Sequence, residues 1–138
     1  MRFMMLMYPG AKAETGAIPD AAAVAAMMKY NEELVRAGVL LAGEGLQPSA
    51  KGARIRSAGG KRTVIDGPFS EANELLGGYW LIQVRSREEA IEWAKRCPAS
   101  SNETIEIRQV QEMADFPPDV QKAAAGFEQM QAHARKAS

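Results

Sequence analysis

The sequence has very little histidine and cysteine, the residues on which zinc sites and histidine-assisted nucleophiles depend. It contains one histidine, His133, and one cysteine, Cys97. A Ser-His-Asp or Cys-His arrangement needs an imidazole beside its nucleophile, and a zinc site needs several such ligands. His133 lies in the C-terminal tail, and Cys97 lies just before Pro98 at the end of a helical pattern, where a small buried apolar role is typical. We therefore predict no metal and no cofactor, and the single cysteine, which excludes an internal disulfide, favours a reducing cytoplasm.

The chain also lacks an excess of charge of either sign and any long apolar run. The 17 basic and 17 acidic side chains are mixed along the chain, so no basic face for nucleic acid or anionic membrane is predicted. No run approaches the roughly 18 apolar residues of a membrane span. The apolar run in "MRFMMLMYPG" is too short for a secretory signal and instead predicts a first strand. The 46% apolar content of 138 residues predicts one domain with its own core.

The apolar patterns predict an α+β fold of the ferredoxin-like type, β-α-β-β-α-β, with an inserted β-hairpin. The strands are expected in "RFMMLMY", "VLLAGEGL", "GGYWLIQV" and "TIEIRQV", and the hairpin in "ARIRSAGGKRTVID". One helix is expected from an Asp20 cap to Ala37, and a second from a capping box at Ser86 and Glu89 up to Pro98. The first helix is expected to bury one apolar stripe: Val24, Met27, Met28, Leu34 and Val35.

A C-terminal extension follows the α+β domain. We place the domain at residues 1–112 and a helical extension at 113–138. Pro117, Pro118 and Asp119 start a helix there, and its expected apolar stripe, despite Gly126, is Val120, Ala123, Ala124, Phe127 and Met130. Packing on the body, packing on a second subunit and a frayed end are all open for this segment.

Acids and aromatics gather near the expected strand ends. Asp66 precedes Gly67 and Pro68, where an aspartate forms a turn by bonding to nearby backbone N–H groups or acts as a buried general base. Glu44 lies between two glycines with no helix to cap, so it is either exposed or shielded with a raised pKa. The candidate catalytic residues are Asp66 and Glu44, and the candidate substrate-binding residues are Tyr8, Phe69, Tyr79, Glu106 and Arg108.

Four blocks of the sequence resemble the YciI-related proteins, also called DGPF proteins. The Asp-Gly-Pro-Phe signature lies in "VIDGPFSEANELLGGYWLIQV", and "AGVLLAGEGLQP", "EAIEWAKRCPA" and "TIEIRQV" resemble the other blocks in the same order. The resemblance covers residues 1 to 112. It implies a dimeric α+β barrel, in which ferredoxin-like subunits pack sheet to sheet as a homodimer. Many members resemble accessories of sigma factors, which implies a regulatory role as one alternative.

The resemblance also implies which residues of this chain correspond to the site of the family, and this sequence differs from the family at one position of that site. The signature acid is Asp66, and the acid of the Gly-Glu-Gly block is Glu44. YciI-type relatives pair an aspartate with a histidine at their expected active site. Where members often have that histidine, this sequence has Ser100-Ser101-Asn102, so a histidine base is not expected here.

Two functions fit these observations. The first is an uncharacterised dimeric protein that binds a small molecule or a regulatory partner in a cleft near the Asp-Gly-Pro-Phe segment. The alternative is a small cofactor-independent enzyme of the lyase or isomerase type, acting on a carbonyl or aromatic compound. In that enzyme Asp66 or Glu44 is the base, Tyr8 or Tyr79 orients the substrate, and Arg108 holds a carboxylate or enolate.

Overall fold

The computed structural model describes residues 1–137. Its strands are β1 (Arg2–Tyr8), β2 (Leu40–Gly45), β3 (Ala53–Ala58), β4 (Lys61–Asp66), β5 (Gly78–Gln83) and β6 (Thr104–Gln109). Its helices are α1 (Ala11–Glu14), α2 (Ala21–Arg36), α3 (Arg87–Arg96), α4 (Pro118–Ala123) and α5 (Phe127–Ala137). Single 3₁₀ turns occur at Ser49–Lys51, Ala72–Glu74 and Met113–Asp115.

Four of the strands form one antiparallel sheet in the order β2-β5-β1-β6. The helix α2 connects β1 to β2, and α3 connects β5 to β6, so each pair of connected strands encloses a third strand. This is the ferredoxin-like arrangement, and the predicted fold class is confirmed. The hairpin β3-β4 is a separate two-stranded sheet inserted between β2 and β5.

Alternation along the strands separates the two faces of the main sheet. In β1 the residues Phe3, Met5 and Met7 are buried, while their neighbours along the strand are only half-buried. In β5 the buried side chains are Trp80 and Ile82. These residues pack under α2 and α3, because side chains two apart on a strand point to the same face. On the opposite face no strand side chain is fully buried within residues 1–137, and we call it the uncovered face.

The helix α2 begins and ends as predicted but buries a different stripe. The Asp20 carboxylate accepts the backbone N–H of Ala23 at 2.7 Å, and Gly38 takes the positive φ of 73° that ends the helix. The buried side chains of α2 are Tyr30 and Leu34, with Met27 half-buried beside them. The predicted stripe was wrong at three positions, which are exposed: Val24 (46%), Met28 (53%) and Val35 (63%).

The predicted capping box of α3 forms only in part. The Ser86 hydroxyl accepts the backbone N–H of Glu89 at 3.1 Å, as an N-cap does. The Glu89 carboxylate accepts the backbone N–H of Arg85 at 2.8 Å instead of that of Ser86. The helix still gains two side-chain bonds at its start.

The C-terminal extension forms two helices where one continuous stripe was predicted. Gly126 has a φ of 94°, which lies outside helical geometry and separates α4 from α5. Three apolar members of the predicted stripe are exposed: Val120 (41%), Phe127 (49%) and Met130 (65%). The extension is therefore helical, but that stripe is not buried on the body. Ser138 lies outside the described residues.

Candidate functional site

A row of side chains crosses the uncovered face from edge to edge. Glu44 of β2 is paired with Tyr79 of β5, Tyr79 with Leu6 of β1, and Leu6 with Glu106 of β6. Because residues paired in this way lie side by side on one face, the sheet brings together three of the predicted site residues around one leucine.

Two further predicted residues lie on the same face. Arg108 is paired with Met4 in the neighbouring row, and its Nε lies 3.8 Å from a carboxylate oxygen of Glu106. Tyr8 lies at the end of β1, paired with Thr104. The uncovered face thus carries five of the seven predicted site residues.

The signature residues Asp66 and Phe69 lie apart from that face, in a turn built against the Ser49–Lys51 segment. The backbone N–H of Gly67 donates to the carbonyl of Gly52 at 3.0 Å, and that of Phe69 donates to the Ser49 hydroxyl at 2.9 Å. A Cβ at Gly67 would collide with the Ser49 backbone, so the turn requires glycine there. The Gly67–Pro68 peptide bond is cis.

The Asp66 carboxylate does not hold this turn. Asp66 is exposed at the end of β4, and within residues 1–137 its side chain has no hydrogen-bond or ion-pair partner. Ser49 is the residue that organises the turn, because it bonds to Phe69 on one side and to the Glu14 carboxylate of α1 on the other. The cavity beside this segment, lined in part by Glu14 and Pro48, holds about 20 Å³, room for about one water.

A larger pocket of about 320 Å³ lies between α2 and the β2-β5 edge of the sheet. It shares Met7 and Trp80 with the core, so it opens mainly on the helix-covered side. Its lining residues are Met7, Met27, Asn31, Leu40, Gly43, Glu44, Gly45, Gly77, Gly78, Tyr79 and Trp80. Two of the predicted residues, Glu44 and Tyr79, therefore border this pocket as well as the uncovered face.

On its strand side the pocket is lined by glycines, which have no side chains to fill it. A Cβ at Gly43 would lie 3.2 Å from the Trp80 ring, and one at Gly78 would lie 3.0 Å from the carbonyl oxygen of Glu44. A Cβ at Gly45 would meet no atom within 4 Å. Gly43 and Gly45 face the same side as Trp80 by strand alternation, so the pocket occupies the space that side chains would fill.

The orientation of the Asn31 amide in the pocket is fixed by Trp80. The Trp80 indole Nε1–H donates to Asn31 Oδ1 at 2.9 Å. An indole N–H only donates, so the oxygen of the amide must face it, and the NH₂ group points elsewhere. Within the described part of the chain that NH₂ group has no other partner, which leaves a side-chain donor available at the pocket wall.

The pocket has no basic side chain in its lining. The ionisable residues at its border are Glu44 and Tyr79, whose side chains lie on the uncovered face by strand alternation. Glu44 is exposed, and among residues 1–137 no charged or polar residue is buried. In this part of the chain no three His, Cys, Asp or Glu side chains gather as a metal site requires, and no helix is both long and apolar enough to cross a bilayer.

The position of the absent histidine is a tight turn. Asn102 is exposed with a φ of 70°, a region that asparagine tolerates better than most residues. The surrounding turn is held by the Ser100 carbonyl, which accepts from the backbone N–H of Glu103 at 3.2 Å.

Sequence reasoning missed the residues that form the pocket wall. Asn31, Met27 and Trp80 were not among the predicted site residues, although two signals pointed to them. Asn31 is a polar residue four positions after Met27 in an otherwise apolar helix face, and Gly43, Gly45, Gly77 and Gly78 recur on paired strands. Their meaning depends on strand pairing, which one sequence does not reveal.

Two comparisons place the chain among known proteins. The profile of the YCII-related domain matches residues 1–114. An uncharacterised protein of Rhizobium meliloti (strain 1021) is 33% identical over 84 residues, which is 61% of this chain and 67% of that relative. Since the profile spans the whole ferredoxin-like body, this chain belongs to the YCII-related domain family.

Proposed function

We propose that this protein is a homodimer that binds a small molecule in the pocket between α2 and the β2-β5 edge. The observation that carries the proposal is the 320 Å³ pocket itself, an apolar hollow with an oriented amide in its wall. Ligand sites in proteins are usually concave, mostly apolar and equipped with a few placed polar groups.

The side chains of the pocket divide into a packing surface and a polar set. Met7, Met27, Leu40 and Trp80 offer apolar surface, and Asn31 offers its NH₂ group. The wall that carries Asn31 belongs to the core, where Trp80 also stacks edge-on to Tyr30 with ring centroids 5.9 Å apart. A site built on a packed helix and sheet is held in place before the ligand arrives, which lowers the entropic cost of binding.

The homodimer is supported by the uncovered face. Met4, Leu6, Tyr8 and Leu81 lie there without a covering layer, and a sheet with apolar residues on both faces is typical of a sheet buried on both sides. A second copy placed on this face would enclose the row of Glu44, Tyr79 and Glu106 and desolvate it.

The binding proposal is tested by native mass spectrometry of the protein as purified. We expect a dimer that carries a reproducible small-molecule mass, and we expect Gly45→Val to lose it, because a valine there extends into the pocket without striking another atom. The matched control is Ser57→Val, which adds the same side chain to an exposed strand of the hairpin. Retention of the mass by Gly45→Val, or its loss in both variants, would place the ligand elsewhere.

One observation favours a catalytic version of this function. Glu44 and Tyr79 are direct neighbours on paired strands, so an acid and a phenol lie side by side on the uncovered face, at the rim of the pocket. As a general base Glu44 needs shielding from water, and the dimer would supply it. Glu44→Gln should then abolish turnover of a bound carbonyl compound, whereas Asp66→Asn, outside the pocket lining, should not.

A further inference from the structure

We propose that the pocket between α2 and the β2-β5 edge selects a small uncharged carbonyl compound and rejects the corresponding carboxylate. This inference rests on the proposed binding function and adds the chemical class of the ligand. It follows from three properties of the pocket wall: the orientation of one amide, the lack of a basic side chain and the extent of the apolar surface.

The first property is the direction of the Asn31 amide. Its oxygen is occupied by the Trp80 indole N–H, so what it presents to a ligand is the NH₂ group, which only donates. A ligand that uses this group needs an acceptor such as a carbonyl oxygen. An alkylammonium ion has no acceptor and leaves the amide unpaired on binding.

The second property is the charge of the lining. With no lysine, arginine or histidine in the wall, an anionic ligand loses its hydration on entering the pocket and gains no ion pair in return. The positive end of α2 offers no compensation, because Met27 and Asn31 lie more than a turn from the helix start at Ala21. The effect of a helix dipole on charge fades within the first turn.

The third property is the apolar remainder of the wall. Met7, Met27, Leu40 and Trp80 favour a hydrocarbon or aromatic body, and methionine side chains adapt to irregular shapes. A volume of about 320 Å³ lies at the lower end of the roughly 300–1,000 Å³ range of ligand pockets, which suits a compound of one ring.

The test uses four probes that share a benzene ring: acetophenone, benzamide, benzoate and benzylamine. Binding is followed by NMR through the indole N–H resonance of Trp80, assigned with a Trp93→Phe variant. We expect acetophenone and benzamide to shift this resonance saturably, and benzoate and benzylamine to bind at least tenfold more weakly.

Two variants separate selectivity from folding. Asn31→Asp keeps an oxygen for the Trp80 N–H but removes the NH₂ donor, so it should weaken both carbonyl probes at least tenfold while the rest of the spectrum stays folded. Gly45→Val should block every probe without altering Asn31. If Asn31→Asp unfolds the chain, Met27→Lys serves instead: it adds a basic side chain to the lining and should raise the affinity for benzoate relative to that for acetophenone.

The outcomes distinguish the inference from the proposed function beneath it. Benzoate or benzylamine binding as tightly as acetophenone, and blocked by Gly45→Val, would overturn the selectivity but keep the site. Binding that Gly45→Val does not block, or no Trp80 shift with any probe at millimolar concentration, would overturn both.

Discussion

Tyr30 is the residue that joins the two helices to the sheet. Its hydroxyl donates to the backbone carbonyl of Trp93 at 2.7 Å, and its ring meets Trp80 edge-on at an interplanar angle of 90°. Burial raises the pKa of Tyr30 above its usual value, so the hydroxyl keeps its proton and remains a donor at neutral pH. Burial, aided by the charge of Glu103, likewise raises the pKa of Cys97 to about 12, which keeps this thiol neutral and unreactive.

Removing the Tyr30 hydroxyl tests its place in the core. Tyr30→Phe keeps the ring but leaves the Trp93 carbonyl without its partner, which should lower the free energy of unfolding by about 1–2 kcal/mol. Urea denaturation followed by circular dichroism measures the loss. Tyr8→Phe, a half-exposed tyrosine with no recorded bond among the described residues, is the matched control, and an equal loss in both variants would contradict the role given to Tyr30.

The pair of Arg2 and Glu112 makes stability depend on pH. Two hydrogen bonds from the Arg2 guanidinium, at 2.9 and 3.1 Å, hold the pKa of Glu112 below its usual value. A carboxylate with a lowered pKa stabilises the fold above its unfolded pKa of about 4.3, and that stabilisation is lost as pH falls through the folded value.

Glu112→Gln should therefore destabilise the protein at pH 7 but not at pH 3. The expected loss at pH 7 is only about 0.5 kcal/mol, because the Glu112 side chain is 45% exposed and solvent screens the pair. Urea midpoints at the two pH values measure it. Glu32→Gln, an exposed glutamate of α2 outside any recorded pair, should change neither midpoint; a Glu112 effect that persists at pH 3 would point to packing instead.

At the scale of elements, the hairpin β3-β4 is the part of the α+β domain with the least buried surface. Every residue of both strands is exposed, including Ile55 (61%) and Val64 (65%), which are paired with each other. An isolated two-stranded hairpin is marginal in water. The Asp-Gly-Pro-Phe turn helps to anchor it, since the Arg54 guanidinium lies 3.9 Å from the Phe69 ring centroid and 3.6 Å from the Glu71 carboxylate.

Phe69→Ala should loosen the hairpin without unfolding the main sheet. Loss of the ring removes the platform for Arg54, so amide hydrogen exchange should accelerate severalfold across residues 53–66 and stay unchanged in β1 and β5. Phe127→Ala, at an exposed phenylalanine of the tail, is the control and should leave the hairpin protected as before. Uniform acceleration over the whole chain would mean that Phe69 supports the core instead.

Local chemistry made the elements predictable. Asp20, Ser86, Pro98 and the Gly59-Gly60 turn act within a few residues of themselves, and the last has φ values of 55° and 77°, which suit a two-residue hairpin turn. The buried face of α2 was predicted correctly at Met27 and Leu34 only, because Val24 and Met28 are as apolar as Met27 and the position of the sheet decides between them. The pocket was not predicted either. Its glycines are far apart in the sequence, and they meet only because β2 and β5 are paired.

At the scale of the whole molecule, residues 1–137 form two layers, one sheet and the helices on one of its faces. Helices cover Phe3, Met5 and Met7, while the face that carries Leu6 is open. Five of the seven residues selected from the sequence lie on that face, and a second copy packed there, as we propose, would enclose them.

Leu6→Asp should convert the dimer into a monomer. The aspartate would place a charge at the centre of the uncovered face, between Tyr79 and Glu106, where a second copy is expected to pack. Sedimentation velocity measures the mass. Val24→Asp, at an exposed residue of α2 on the opposite layer, should leave the dimer intact; dissociation by Val24→Asp alone would move the interface to the helices.

The glycines of the pocket wall allow the size of the pocket to change by substitution at a single position. Most binding sites change specificity by exchanging side chains that also hold the core together, so each change risks stability. Here a Cβ on Gly45 would meet no atom within 4 Å, so a side chain at this position could change the size of the pocket without displacing the core. Alanine, serine or valine at that single position would offer related proteins a graded series of smaller pockets on an unchanged frame. The bond between Asn31 and Trp80 would stay the same in each of these pockets.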